Sequence, residues 1–481
     1  AASDVYKRQV LIRQPLTEHV PVPSSSKSCM SNEDNRFTAR ASRYARVGTN
    51  VGAVAARYAG QRLLGIEQDR NKSARDLALA LGGLKGPIMK VAQLLSTIPE
   101  ALPKEYAREL AQLQSQAPPM GPAFVRRRMN AELGRDWQRR YQSFEPASAA
   151  SASLGQVHRA VHPDGRRLAC KLQYPDMQSA VEADLNQLKL VFQLHARMDP
   201  GIDTKEIFAE ISSRLREELD YDLEARHTRL YASIFTDEPL IRVPEVIPEL
   251  STGRLLTMTW LDGEPLLDFK QGSLEDRNRI ARAMFRAWWY PFSHHGVIHG
   301  DPHLGNYTVF LEDGRPAGIN LLDYGCIRTF SPRFVQGVVN LYQGLLAGDR
   351  DRIVAAYEEW GFSGLSDELI EGLTVWAGFI YGPLLDDRER TIADATTPGE
   401  YGRREMMHVR RVLKEKGPVT VPREFVFMDR AAIGLGGVFL HLDAKLNWYQ
   451  LFNDTIEDFN LDVVAARQQS AFAASDVPLP V

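Results

Sequence analysis

The stretch Val297-Ile-His-Gly-Asp-Pro-His-Leu-Gly-Asn306 leads into the run 307–311, an Asp313-Gly314 turn, a second run 317–322 and then Asp323-Tyr324-Gly325. Strand-like runs on either side of an Asp-Gly pair predict an antiparallel hairpin. Asn306 precedes its first strand and Asp323 follows its second, so both side chains emerge at the same open end, near Asp301. The hairpin thereby gathers two carboxylates and an amide oxygen. Hard oxygen donors of this kind suit Mg²⁺, which keeps some waters and completes its shell from substrate phosphates. Asp301 is then placed to orient or deprotonate an attacking hydroxyl or water.

The spacing H-x-D-x-x-x-x-N followed by D-x-G resembles the catalytic and metal-binding loops of the protein-kinase-like superfamily. By that resemblance His299 supports the loop through backbone hydrogen bonds, while His303 is expected to face solvent. Such a site also needs a strand lysine for the α- and β-phosphates, oriented by a carboxylate. In Leu168-Ala-Cys-Lys-Leu-Gln173 the two-residue period puts Leu168, Cys170 and Leu172 on one face and Ala169, Lys171 and Gln173 on the other. Lys171 is the candidate. Its carboxylate is sought in Glu217-Glu-Leu-Asp-Tyr-Asp-Leu-Glu224, where Glu218, Asp220 and Glu224 all qualify. On a helix 220 and 224 share a face at i,i+4, with 218 within two turns of both. Taken alone, the same run reads as a solvated helix.

The rest of the chain sets bounds. Its 481 residues, 44% hydrophobic and 25% charged, are ordinary for globular proteins, and about 150 residues per domain suggests two to four units. Three dispersed cysteines, Cys29, Cys170 and Cys326, exclude a disulfide scaffold and a zinc site of CxxC type, and fit a reducing compartment. A formal charge of −3 argues against a general nucleic-acid binder. No run reaches the roughly 18 apolar residues that span a bilayer. The nearest runs, 373–385 and 431–442, are broken by Pro383 and by glycines and read as buried helices. Lys7 and Arg8 precede no apolar core of signal-peptide length, so a cytoplasmic location is expected.

Along the chain, 1–35 reads as a disordered leader, with 1–9 (AASDVYKRQ) resembling translated adapter sequence. Residues 36–146 read as a helical N-terminal extension. There Arg36, Arg40, Arg43 and Arg46 form a basic stripe, either a solvated face or a peripheral contact with an anionic membrane surface. Residues 147–262 read as a first lobe with inserted helices: a hairpin of 156–162 and 167–173, one long charged helical region over 177–234, and short strands near 243–247 and 254–260. Residues 263–455 read as a helical second lobe and 456–481 as a tail. The expected fold class is α+β, a two-lobed protein-kinase-like fold.

Four features together resemble the UbiB family of atypical kinases over residues 36–455: the E-L-D-Y-x-x-E-A run 218–225, Lys90-Val-Ala-Gln93, Ala150-Ser-Ala-Ser153 where a Gly-rich loop is expected, and HGDPHLGN at 299–306. The resemblance implies that Glu224 pairs with Lys171, and that Glu218 and Asp220 form an ExD motif beside the nucleotide. It implies that Lys90 and Gln93 belong to a KxGQ helix lying over the active site where a protein substrate would otherwise dock. It further implies that the small-residue loop favours ADP over ordinary phosphotransfer. Ala92 stands where the family pattern has glycine, and Ser151 replaces an alanine.

The expected activity is Mg²⁺-dependent ATP or ADP binding and ATP hydrolysis. The resemblance adds support of ubiquinone or related isoprenoid-lipid biosynthesis, with lipid or lipid-biosynthesis proteins as partners. A small-molecule kinase of the aminoglycoside or choline type is one alternative; a nucleotide-binding scaffold without phosphotransfer is another.

Overall fold

The computed structural model describes residues 120–152, 154–198, 204–362, 365–393 and 423–480. The leader, the arginine stripe 36–46, Lys90 and Gln93 lie outside these residues, as does Ser153.

Helix α1 (Pro122–Leu133) starts on a proline, whose missing N–H is no loss in a first turn, and ends at Gly134 with φ 86°. Val125, Met129 and Leu133 recur every four residues and form its buried stripe. With Trp137 and Tyr141 they pack on Leu168, Cys170, Leu172, Ile247, Leu250 and Leu255. Through this shared apolar face α1, which falls within the extension expected over 36–146, packs on the first lobe.

Strands β1 (Ser143–Ala152), β2 (Gly155–Val161) and β3 (Arg167–Gln173) form an antiparallel meander. The last two are the expected hairpin, with Gly165 in its turn at φ 91°. Ala150, Ser151 and Ala152 are strand residues and not loop: they pair with Val157, Gln156 and Gly155. The ladder holds them extended whatever their propensity. Gly155 is required here, since a Cβ would lie 2.5 Å from the Leu172 carbonyl oxygen and 2.9 Å from the Tyr221 hydroxyl.

The single helical region expected over 177–234 is three helices: α2 (Met177–Met198), α3 (Thr204–Glu217) and α4 (Tyr221–Ile234). The break at 218–220 has a local cause. The Asp220 carboxylate accepts the Leu223 N–H at 2.9 Å and caps α4, a better use of aspartate than a helix interior. Beyond α4 come β4 (Ile241–Arg242) and β5 (Leu255–Thr259), the latter closing the first sheet in the order β1-β2-β3-β5. The strand expected at 243–247 reduces to an isolated bridge between Val246 and Met258.

The second lobe follows β6 (Glu264–Pro265) and is built around α5 (Leu274–His295). This helix is capped by Ser273, which accepts the Asp276 N–H, and ended by Gly296 at φ 62°. Its buried face includes Ile280, Met284, Trp288 and Phe292. Strand β7 (Val297–His299) leads into the loop 300–306; β8 (Tyr307–Glu312) and β9 (Arg315–Leu321) are the expected hairpin; β10 (Ile327–Thr329) returns beside β7. The second sheet runs β4-β9-β8-β6, so β4, left over from the first lobe, pairs in parallel with β9 and ties the lobes together.

Among the described residues the lobe continues with helices α6 (Pro332–Ala347), α7 (Arg350–Glu359), α8 (Asp367–Tyr381), α9 (Arg423–Leu442), α10 (Trp448–Ile456) and α11 (Leu461–Ser475). The apolar runs read as buried helices fall in α8 and α9, and no helix of the described residues is long and apolar enough to cross a membrane. The expected tail at 456–481 is corrected: α11 packs on α4 and α5, burying Val464, Gln468 and Phe472. Gln468 Nε2 donates to the carbonyls of His295 and Phe330 at 2.8 Å each, binding polar backbone that a tail would leave open.

Candidate active site

A cavity of about 950 Å³ lies at the junction of the lobes. Ala150, Ser151, Ala152 and Lys171 line it from the first lobe, and Asp301, Asn306 and Asp323 from the second.

The loop after β7 is fixed by main-chain bonds. His299, buried, donates Nε2–H to the Asp323 carbonyl at 2.7 Å and accepts the Asp301 N–H on Nδ1 at 3.3 Å. One neutral tautomer serves both bonds, and burial holds the imidazole pKa below its ordinary value. Asn306 Nδ2 donates to the Asp301 carbonyl at 3.1 Å and to its carboxylate at 3.3 Å, and the buried Tyr307 hydroxyl donates to the same carbonyl at 3.1 Å. Asp301 is thus held through both its backbone and its side chain. His303 is exposed; its Nδ1 accepts the Gly305 N–H at 3.1 Å, a turn-forming role.

Lys171 Nζ lies 2.6 Å from Glu224 Oε1 and 3.1 Å from Asp323 Oδ2, with the Tyr221 ring 5.4 Å away. The helix α4 supplies Glu224, the hairpin's far end supplies Asp323, and β3 supplies Lys171, so three separate chain segments meet at one ammonium. Burial disfavours the charged lysine, but Asp323 and Glu224 outweigh it and its pKa is raised. Burial pushes the Glu224 carboxyl up against the pull of Lys171. Asp323 Oδ1 accepts the Gly325 N–H at 2.9 Å, which fixes its rotamer.

Of the three carboxylates left open by the sequence, Glu224 touches Lys171, Glu218 lines the cavity, and Asp220 is exposed and caps α4. The sequence reading missed a polar wall beside Asp323: Arg214 Nη1 lies 3.1 Å from Cys326 Sγ, and Arg328 Nη2 lies 2.8 Å from Glu217 Oε2. It also missed the connector 260–263, where Asn320 Nδ2 donates to the Asp262 carbonyl at 2.8 Å and to Thr308 Oγ1 at 2.9 Å. Gly263 was the available signal there, since a Cβ at that position would lie 2.6 Å from Asn320 Nδ2.

The donor set fits a nucleotide-borne Mg²⁺. Among the described residues no three His, Cys, Asp or Glu side chains converge on a metal by themselves. Mg²⁺ in nucleotide sites needs only one or two carboxylates, its remaining ligands being water and phosphate. Asp323 and Asn306 would supply the protein oxygens, with Lys171 facing the phosphates.

The pattern of the ABC1 atypical kinase-like domain matches residues 112–357, half of the chain. Atypical kinase COQ8, mitochondrial, of Saccharomyces cerevisiae is 32% identical over 253 residues, 52% of this chain and 50% of its own length. AarF domain-containing protein kinase 1 of Xenopus laevis is 31% identical over 272 residues, 56% and 52% of the two chains. This chain therefore spans about half the length of the curated relatives it matches. Among solved structures, the Rv3197–erythromycin complex from Mycobacterium tuberculosis aligns with a TM-score of 0.55 and 28% identity, covering 80% of this chain and 96% of that one. A two-lobed fold, a lysine bridged to carboxylates from both lobes and a family match over half its length converge on one conclusion: the chain belongs to the ABC1 atypical kinase-like family, the UbiB family.

Proposed function

We propose that this chain is an atypical kinase or ATPase that binds ATP or ADP with Mg²⁺ in the cleft and supports ubiquinone or related isoprenoid-lipid biosynthesis. The observation that carries the reading is Lys171, buried in the cavity wall and held between Glu224 and Asp323. A lysine kept charged and aimed by two carboxylates is equipped to grip the α- and β-phosphates. Mg²⁺ held by Asp323 and Asn306 would supply charge neutralisation on the phosphates. Asp301, fixed by Asn306 and Tyr307, orients the attacking hydroxyl or water and accepts its proton. Ser151 lines the cavity and offers a hydroxyl to the nucleotide, with Ala150 and Ala152 beside it.

The two carboxylates of the ExD motif divide the work in this reading: Glu218 acts at the cleft, and Asp220 holds the start of the helix that carries Glu224. Lys90 and Gln93 take the regulatory role that the family resemblance implies. The lipid pathway rests on family membership, and the small-molecule kinases of the aminoglycoside and choline type are set aside on the same ground.

The test is paired. Asp323→Asn should reduce the thermal stabilisation produced by Mg²⁺ with ADP, while Asp301→Asn should keep that stabilisation and lower ATP turnover at least ~100-fold. Equal nucleotide shifts in Asp323→Asn and parent, or undiminished turnover in Asp301→Asn, would overturn the assignment of these residues.

A further inference from the structure

Helix α9 (Arg423–Leu442) buries Met428, Ala431, Leu435, Val438 and Leu442 in the core of the second lobe, a stripe at three- and four-residue spacing. Two of its glycines have contrasting surroundings. A Cβ built on Gly434 would overlap Pro302 Cγ and lie 3.2 Å and 3.4 Å from Pro302 Cβ and Cδ. A Cβ built on Gly437, three residues further along the same helix, would meet nothing within 4 Å. Glycine is unfavourable inside a helix, so its presence at 434 needs a local reason, and close contact with Pro302 is one.

Pro302 is the residue after Asp301. Its ring meets α9 at Gly434, while Asn306 and Tyr307 are both bonded to Asp301. We infer that Gly434 is a positioning residue for Asp301: by carrying no side chain it lets α9 seat directly on Pro302 and act as the backstop against which the catalytic loop is set. Its effect passes through Pro302 and involves no contact with substrate. A methyl at 434 drives the pyrrolidine ring away from α9, and the neighbouring Asp301 moves with it. A small misplacement of a general base has a disproportionate effect on rate while leaving nucleotide contacts made by Lys171 and Asp323 in place.

The inference builds on the proposed role of Asp301, so its test includes a readout that needs no turnover. Gly434→Ala and Gly437→Ala both replace a helical glycine by alanine and should both raise the melting temperature through helix propensity unless the overlap at 434 offsets it. Only Gly434→Ala should lower the rate of ATP turnover, by ~10-fold or more, with the Kd for Mg²⁺-ADP unchanged. Amide hydrogen exchange across 300–306 should change in Gly434→Ala and not in Gly437→Ala. In a Pro302→Ala background the ring is gone, and adding Gly434→Ala should then alter neither exchange nor turnover further. The inference is overturned if Gly434→Ala leaves exchange over 300–306 as in the parent, or if it has the same effect with and without the Pro302 ring. An absence of ATP turnover in the parent would count against the proposed activity, while the exchange measurements would still decide the role of Gly434.

Discussion

Glu224 offers the sharpest separation of structural from functional charge. Removing one partner of a buried pair costs about 3–5 kcal/mol when the other charge is stranded. Lys171 would not be stranded, because Asp323 stays 3.1 Å away, and its carboxylate is partly exposed. Glu224→Ala should therefore lower stability by only about 2 kcal/mol, below that range. The larger consequence falls on binding. Without Glu224 the ammonium is drawn to Asp323 alone, moving away from the phosphates and occupying the carboxylate assigned to Mg²⁺. Glu224→Gln keeps the shape and an acceptor oxygen while exchanging an ammonium–carboxylate hydrogen bond for an ammonium–amide one, a difference of about 1.5 kcal/mol or roughly tenfold in affinity. Calorimetric titration with Mg²⁺-ADP, beside urea unfolding of the free protein, separates the two effects. Glutamine should weaken binding roughly tenfold with little change in unfolding, whereas alanine should change both. If alanine left nucleotide affinity as in the parent, Lys171 would not depend on Glu224 for its position, and the site as described would be wrong.

Two further outcomes follow from buried polar groups. His227 on α4 gives its Nδ1–H to the Tyr324 carbonyl at 3.2 Å, and burial, partly offset by that bond, pushes its pKa down to about 4. The unfolded chain then takes up this proton first, so stability is lost as pH falls from about 6.5 to about 4, by about 3 kcal/mol over the window; His227→Gln should flatten that part of a stability–pH profile, and an unchanged slope would exclude His227 as its source. Gly263→Ala should displace Asn320 from the Asp262 carbonyl and Thr308, costing about 2 kcal/mol in urea unfolding; Asn320→Ala should lose a similar amount, and the double variant no more than the larger single loss, whereas additive losses would show that the two residues act separately.

The elements that could be read in the sequence were those whose signal is local. The β8–β9 hairpin announces itself by Asp313-Gly314, where both residues take positive φ, and everything hung on its two ends follows at once. Lys171 was legible because strand alternation separates it from Leu168, Cys170 and Leu172, which the structure buries against α1. Its carboxylate partner stayed open among three candidates because the answer depends on how α4 docks, a tertiary fact. Asp220 looked like a helix-face residue at i,i+4 to Glu224, yet an aspartate at a helix start competes for the backbone, and the cap ended the helix the period seemed to continue. Helix α11 was read as tail because its alanines and glutamines carry little amphipathic pattern; what fixes it is Gln468 bonding two distant carbonyls, which no periodicity reveals. The stripe on α1 likewise reads as helix without saying what it covers, and the structure packs it on β3 and β5.

The bridged lysine bears on how the proposed cleft would work. Lys171 spans the lobes, reaching Glu224 from the first and Asp323 from the second. A divalent cation arriving alone would have to compete for a carboxylate paired with an ammonium, while a nucleotide arriving alone would bring phosphates toward Glu224, Asp323 and Asp301 as well as toward Lys171. Brought together, each would relieve the other's difficulty: phosphates beside Lys171 would replace Asp323 as its counter-ion, leaving the Asp323 carboxylate to hold the cation. In the proposed reading, coupling between metal and nucleotide would follow from placing one lysine between two carboxylates.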